Sequence, residues 1–414
     1  MTEASTGFSY LLAGEDVSID LAREVQATQL LEGVVGANSA PVVGSKHGGK
    51  VKFKIPMRSL KVGWDPTTSI ATAGVLPPEA KLLAIMLGCD TGNAIWSAAY
   101  AAAAASLITA DGDNIGVAYS GAIPHVPGAF FVSAAADGST PPKYSNLATG
   151  WIEAKDTAST PRMVTLFEGA AVAPAVGDNV YPTATLALTV EQPTPMTIRY
   201  VGSNAALAYV LVGAVCEQAT ITMGARQVPI LELTYVCTSH RRDAALGGLQ
   251  LPGKFERVQP SIGIKGARLT LGGTVRAGIA DLKIDLMAAL AFIDSHNAPQ
   301  GVAECIVVSR TVKITCSISI NSDDTLVDGA SPIEQLLESG DILNGLCLTT
   351  GTKPGQLVSI FCPAVRVVGQ PKVADKAGFL VETVEFEAAA YTSDIDPLVT
   401  NVAPADSVLR IAFA

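Results

Sequence analysis

The chain has 414 residues, of which 49% are hydrophobic, 16% charged and 6% aromatic, with a formal net charge of −10. Apolar content this high excludes a disordered chain, and the length leaves room for two or three domains, each expected to bury its own core. No Lys/Arg cluster exceeds Arg241-Arg242, which argues against tight nucleic-acid binding, where several clustered cations must meet the phosphates.

So few charges poorly solvate a large free surface, and some apolar surface is expected to be buried against other subunits. The start, Met1-Thr2-Glu3-Ala4, has no basic n-region or apolar h-region, so no secretory signal is expected. The alanine-rich window Ala98 to Ala105 falls short of the ~20 apolar residues of a bilayer span. A soluble chain made in the cytoplasm, with no membrane segment, is the expectation.

Residues 1–50 read as a loose arm: a short helix candidate at Leu21 to Val25 gives way to Gly33, Gly36, Gly44, Gly48 and Gly49. Such a segment has no core of its own but can drape over a neighbour. Next, Val51-Lys52-Phe53-Lys54-Ile55 alternates as a half-buried strand does. A helix opened by Pro77-Pro78 follows, running through Glu79, Leu82, Leu83 and Leu87 and closed by Gly88. Proline suits the first helical turn because its missing N–H would lack a partner there anyway. Apolar residues cover nearly every face of this helix, so it is expected to be sandwiched rather than laid on a surface.

Residues 91–180 are dense in Ala, Gly, Thr, Ser and Pro, with short β-type runs at Ala129 to Val132 and Met163 to Phe167. They read as inserted β structure. Strands then resume at Thr185–Val190, Met196–Tyr200, Tyr209–Cys216, Ala219–Met223 and Pro229–Val236. The stretch from Thr238 to Gly253 reads as a linker, centred on residues 241–260.

The second half repeats the order. Val312 to Ile320 alternates, Ser331-Pro332 opens a helix through Leu336 and Leu337 to Gly340, and strands follow at Leu357–Cys362, Ala364–Val368 and Leu380–Phe386. Helix to closing strand takes about 150 residues in the first copy and about 45 in the second, which locates the insertion in copy one. The organisation expected is an arm over 1–50, a module over 51–240 with its insertion at 91–180, a linker over 241–260, and a second module over 261–414.

Catalytic signatures are scarce. His47, His125, His240 and His296 sit far apart and show no metal-ligand spacing. The run Gly44 to Lys50 lacks the Gly-Lys-Ser/Thr of a phosphate loop. Asp323-Asp324 and Asp394-Ile395-Asp396 lie in turn-rich contexts that suit capping better than acid/base work. The seven cysteines form no Cys-x-x-Cys pair and read as small buried hydrophobes in a reducing compartment. No enzyme, cofactor or metal is expected.

An alternating strand, a Pro-x-x-x-Leu-Leu helix with glycine close behind, and late strands turned by Ala-Gly or Gly-Ala and ending in a Glu-apolar strand together resemble tail tube proteins of long-tailed bacteriophages. The pieces are Lys52–Ile55, Pro78–Gly88 and Cys216–Val236, and again Val312–Ile320, Pro332–Gly340 and Cys362–Glu387. The resemblance implies a mainly β fold, sandwich-like or barrel-like, with one short flanking helix per module: Leu82, Leu83 and Leu87 in the first, Leu336 and Leu337 in the second.

It implies stacked rings of sixfold symmetry around a channel for the genome, so a chain with two modules would form trimeric rings of pseudo-sixfold symmetry. The insertion would then project outward. An acidic lumen would repel phosphates, with Glu385 and Glu387 as candidate lumen acids. Implied partners are further copies of the chain, a tape-measure protein in the lumen, tail-terminator and distal tail proteins at the ends, and DNA passing without specific binding. The implied location is the virion tail, assembled in the bacterial host cytoplasm. Competing readings are a distal-tail or baseplate hub subunit that stops at one ring, a capsid or surface decoration protein, and a polysaccharide depolymerase, for which no paired-acid signature is present.

Overall fold

The computed structural model describes residues 16–21, 25–26, 42–43, 48–65, 70–75, 77–89, 95–96, 107–111, 114–117, 128–136, 143–156, 162–167, 174–175, 178–189, 192–201, 208–224, 227–243, 268–271, 274–276, 279–298, 301–319, 342–370, 372–376, 379–389 and 407–414. Over these the fold is mainly β and antiparallel, with strands numbered in chain order.

The main sheet has 17 strands. β1 (Ser18–Asp20) pairs with β4 (Lys50–Pro56), whose other edge takes β17 (Ile230–Val236). β17 pairs with the second half of β16 (Ala208–Gly224), which pairs in turn with β21 (Ile279–Asp294). β21 forms a long hairpin with β22 (Val302–Ser319), and β22 pairs with β26 (Phe379–Ala388).

Beyond β26 the sheet branches. Its far edge is shared by β25 (Lys372–Lys376) and the end of β24 (Val358–Val367). β24 carries β23 (Ile342–Thr350), then β19 (Arg268–Leu271) and β20 (Thr274–Arg276). β27 (Arg410–Phe413) lies between β24 and β14 (Ala184–Ala187), and β14 also pairs with β7 (Ile95–Trp96). The first half of β16 takes β15 (Met196–Val201) on one edge and β18 (Ser239–Asp243) on the other.

Four boundaries differ from the sequence reading. β16 is one strand where two were expected: it continues through Gly213, whose φ of +63° glycine adopts without a Cβ clash, and through a bulge between Cys216 and Gln218. β24 continues through Pro363. Its pairing with β27 stops at Phe361 and its pairing with β26 starts at Val365, so the proline lies where no ladder hydrogen bond is required of it. β22 begins ten residues before Val312. The stretch taken as linker from Thr238 opens instead with β18, and residues 244–260 lie outside the described ones.

The helix α1 spans Pro78–Met86 with Pro at its first position. Ala80, Leu83, Ala84, Met86 and Leu87 are buried and Leu82 packs against the same core from a half-buried position, as an all-round apolar helix requires. Gly88 ends it at φ +71°, and the Cys89 and Gly88 N–H groups donate back to the Ala84 and Ile85 carbonyls. Thr189 closes the same end: its N–H donates to the Leu87 carbonyl at 2.9 Å and its hydroxyl to Gly88 at 2.9 Å. At the other end Glu79, fully buried, accepts two bonds from Arg58 at 2.8 and 3.0 Å.

One hydrophobic cluster unites α1 with β4, β14, β16, β17, β19, β21 to β24, β26 and β27. Residues before 240 and after 261 therefore share a core, where separate cores were expected. The fusion has two causes: β16 pairs directly with β21, and β27 closes onto β14 from the first half.

A second sheet of six strands runs β13 (Asn179–Val180), β10 (Phe130–Ala136), β11 (Tyr144–Asp156), β12 (Arg162–Phe167), β9 (Asn114–Val117) and β8 (Leu107–Asp111). All of it comes from the stretch 91–180. It is anchored to the main body through Phe130, Val132, Trp151 and Tyr181, which pack on Leu357, Phe361 and Ala412. Two small hairpins, β2 (Val25–Gln26) with β3 (Val42–Val43) and β5 (Lys61–Asp65) with β6 (Ile70–Val75), complete the strands.

Six of the seven cysteines are buried and Cys347 is half-buried. Burial pushes the Cys216, Cys316 and Cys362 thiols up from about 9 to about 12. A thiol whose value rises on folding contributes stability that is complete below pH 9 and is lost as pH climbs toward 12. Urea midpoints are therefore expected to stay level to pH 9 and to fall steadily above it, and replacing the three thiols by alanine should flatten that fall.

Candidate assembly surface

Strands that alternate put one side chain in the core and the next on the opposite face. In β4, Val51, Phe53 and Ile55 are buried while Lys50, Lys52 and Lys54 point away. The same alternation holds for Leu231 and Leu233 against Glu232, Ile284 and Leu286 against Asp285, Ile314 and Cys316 against Lys313, and Val384 and Phe386 against Glu385 and Glu387. Directly opposed residues of antiparallel strands share a face, so the register lays these polar side chains in rows.

One row crosses seven strands: Lys54 opposes Glu232, Glu232 opposes Thr220, then Asp285, Lys313, Glu387 and Arg366 follow in turn. Neighbouring side chains along it interact. Lys54 reaches Glu232 at 3.6 Å and Asp16 at 2.9 Å, the Thr220 hydroxyl donates to Asp285 at 2.6 Å, and Arg366 donates to Glu387 at 2.9 Å. Flanking pairs join Lys52 to Glu232 at 2.5 Å, Lys50 to Glu217 at 2.7 Å, Lys283 to Asp285 at 2.6 Å and Lys372 to Glu385 at 3.6 Å. The hydrogen bond from Lys54 holds the Asp16 carboxyl below its usual range and raises the Lys54 ammonium.

Both candidate lumen acids therefore stand on this face, and each has a cation beside it. Lys50, Lys52, Lys54, Lys283, Lys313, Lys372 and Arg366 stand among Asp16, Asp20, Glu217, Glu232, Asp281, Asp285, Glu385 and Glu387, so cations nearly match acids. The face is mixed rather than acidic, and the excess negative charge of the chain lies elsewhere. Of the helix residues singled out from sequence, Leu83 and Leu87 are core and Leu82 packs on it; Leu336 and Leu337 fall outside the described residues.

The row escaped sequence reading because its members come from seven strands scattered along the chain. Lys-x-Lys-x-Lys at 50–54 and the lysine at 313 were visible, but their partners are fixed only by long-range register. Among the described residues no group of three or more His, Cys, Asp or Glu side chains is placed to hold a metal ion, and no helix is long and apolar enough to cross a membrane. No protein-family model matches the chain, and a search of the curated proteins found no match.

Proposed function

We propose that this chain is a structural subunit that assembles with copies of itself into a tube, as tail tube proteins of long-tailed bacteriophages do, with the genome passing through the channel. The observation that carries the reading is a strand frame that occurs twice. β1, β4 and β17 lie side by side and antiparallel, and so do β21, β22 and β26. In each, an earlier strand flanks an alternating strand, whose other edge takes a later strand of the same half. That supports two tandem modules in a sandwich-like or barrel-like arrangement, and three chains would supply the six modules of a pseudo-sixfold ring.

The polar face common to both frames is the surface offered to the channel. Its nearly balanced charge, slightly in favour of acids, gives phosphates no net attraction, which suits DNA, or a tape-measure protein, that must move past without sticking. The second sheet, packed through Trp151 on Phe361 at the face of β24 turned away from the shared core, is the part offered outward. Tail-terminator and distal tail proteins would meet the tube at its ends, in a virion tail assembled in a bacterial cytoplasm.

The test is the mass of the purified full chain by light scattering over a range of concentrations. Growth to very large species built in multiples of three chains is the expected result. A concentration-independent monomer would overturn the reading, and a single discrete ring would favour a hub subunit.

A further inference from the structure

β22 has an edge that its sheet uses over only part of its length. β21 pairs with it from Val302 to Ile318, but β26 reaches its other edge only over Lys313–Ser319. Among the described residues no strand pairs with that second edge over Val302–Val312. An open edge presents unpaired N–H and C=O groups and invites a strand from another chain. The stretch Cys305-Ile306-Val307-Val308 is uncharged, β-branched in three of its four residues and free of Gly and Pro. That composition favours cross-β pairing between chains. Val308, left without an opposite residue by a bulge between Val307 and Ser309, is 66% exposed.

The connection from β14 to β15 covers the edge at this stretch. The Gln192 side-chain amide donates to the Val307 carbonyl at 2.8 Å and accepts from the Val307 N–H at 2.9 Å. In an antiparallel ladder the N–H and C=O of one residue point to the same edge, so both groups of Val307 face away from β21. The glutamine amide makes the two bonds that a residue of a neighbouring strand would make. Three residues further along β22, Arg310 donates to the Thr189 carbonyl at 2.9 Å. Thr189 precedes Gln192 as Arg310 follows Val307, so the connection runs antiparallel to β22, as a paired strand would. Thr189 is itself fixed at the end of α1, its N–H bonded to the Leu87 carbonyl and its hydroxyl to that of Gly88.

We infer that Gln192 is an edge guard. By occupying both hydrogen-bonding groups of Val307, it keeps the Cys305–Val308 stretch from pairing edge to edge with the same strand of a second copy. A side-chain amide suits this role because it satisfies the backbone without presenting a further strand edge of its own. The inference does not rest on the tube reading, which concerns the polar face and the ring.

The test compares the full chain with Gln192→Ala and with Gln192→Asn, whose amide is one methylene shorter and reaches one bond at most. Gln192 is exposed, so both variants should fold, with an unchanged circular dichroism spectrum. Exchange of the Val307 amide should quicken roughly tenfold, and thioflavin-binding, strand-paired species should form roughly tenfold faster, the equivalent of losing one to two net hydrogen bonds. Adding Val308→Lys to Gln192→Ala should return that rate to the wild-type value, because a charge on an exposed edge blocks pairing without touching the guard. Hollow particles are counted separately by electron microscopy, so failure of the tube reading and failure of the guard are distinguishable.

Faster exchange at Val307 with association at the wild-type rate would reduce Gln192 to a structural contact and overturn the inference. Unchanged exchange at Val307 would overturn it too, by showing that something else closes the edge. Equal formation of strand-paired species in Trp151→Ala, which loosens the fold at the second sheet instead, would trace the association to general instability and would also overturn it.

Discussion

Arg58→Ala is expected to destabilise the fold by about 3–5 kcal/mol, read as a lower urea midpoint with an unchanged slope. Glu79 is fully buried and the bidentate Arg58 pair, at 2.8 and 3.0 Å, is its partner at the start of α1. The helix N-terminus favours a negative charge there, but a carboxylate out of water without its guanidinium is far costlier than the helix dipole can offset. Because the cost is that of stranding one charge, replacing both, Arg58→Met with Glu79→Leu, should recover most of the loss. Equal damage in the double variant would show that the pair does more than neutralise itself.

Trp151→Ala is expected to cost about 3–5 kcal/mol as well, by leaving a cavity that the surrounding sheets cannot close. The indole stacks on Phe361 at 5.2 Å between ring centres, meets Phe130 at 5.1 Å and donates its N–H to the Ser359 hydroxyl at 3.2 Å. It therefore joins the second sheet to β24 of the main one. The loss should concentrate there: amide exchange in Phe130–Ala136 should accelerate more than in β17 or β22. Uniform acceleration across both sheets would contradict the view of Trp151 as the local anchor.

The local parts of this fold were legible in the sequence and the long-range parts were not. Alternation at Val51–Ile55 and Val312–Ile320 announced β4 and β22, and Pro78, the Leu82-Leu83 pair and Gly88 marked both ends of α1. Each of these signals is carried by adjacent residues. The strand breaks expected at Glu217-Gln218 and at Pro363 are absent. The first is a bulge within β16, and the second lies where the neighbouring ladder has a gap, so neither ends its strand.

Nothing local could place β27 between β14 and β24, or set Lys54 in line with Glu232, Asp285 and Lys313. Glu385 and Glu387, named in the sequence through the family resemblance, lie on the face away from the core, opposite to Val384 and Phe386. Their cation partners, Lys372 and Arg366, depend on which strands meet the far edge of β26. The cysteines were readable because six of the seven fall in buried positions, four of them inside apolar strand stretches.

The central claim is that two equivalent strand frames in one chain build a closed ring that stacks into a tube. Electron microscopy of the concentrated full chain, with end-on views averaged without imposed symmetry, tests it most directly. The account predicts long hollow tubes with a regular axial repeat, and end-on averages with threefold power and a weaker-contrast sixfold outline. Solid or irregular particles, or hollow tubes whose end-on averages lack a threefold component, would contradict it.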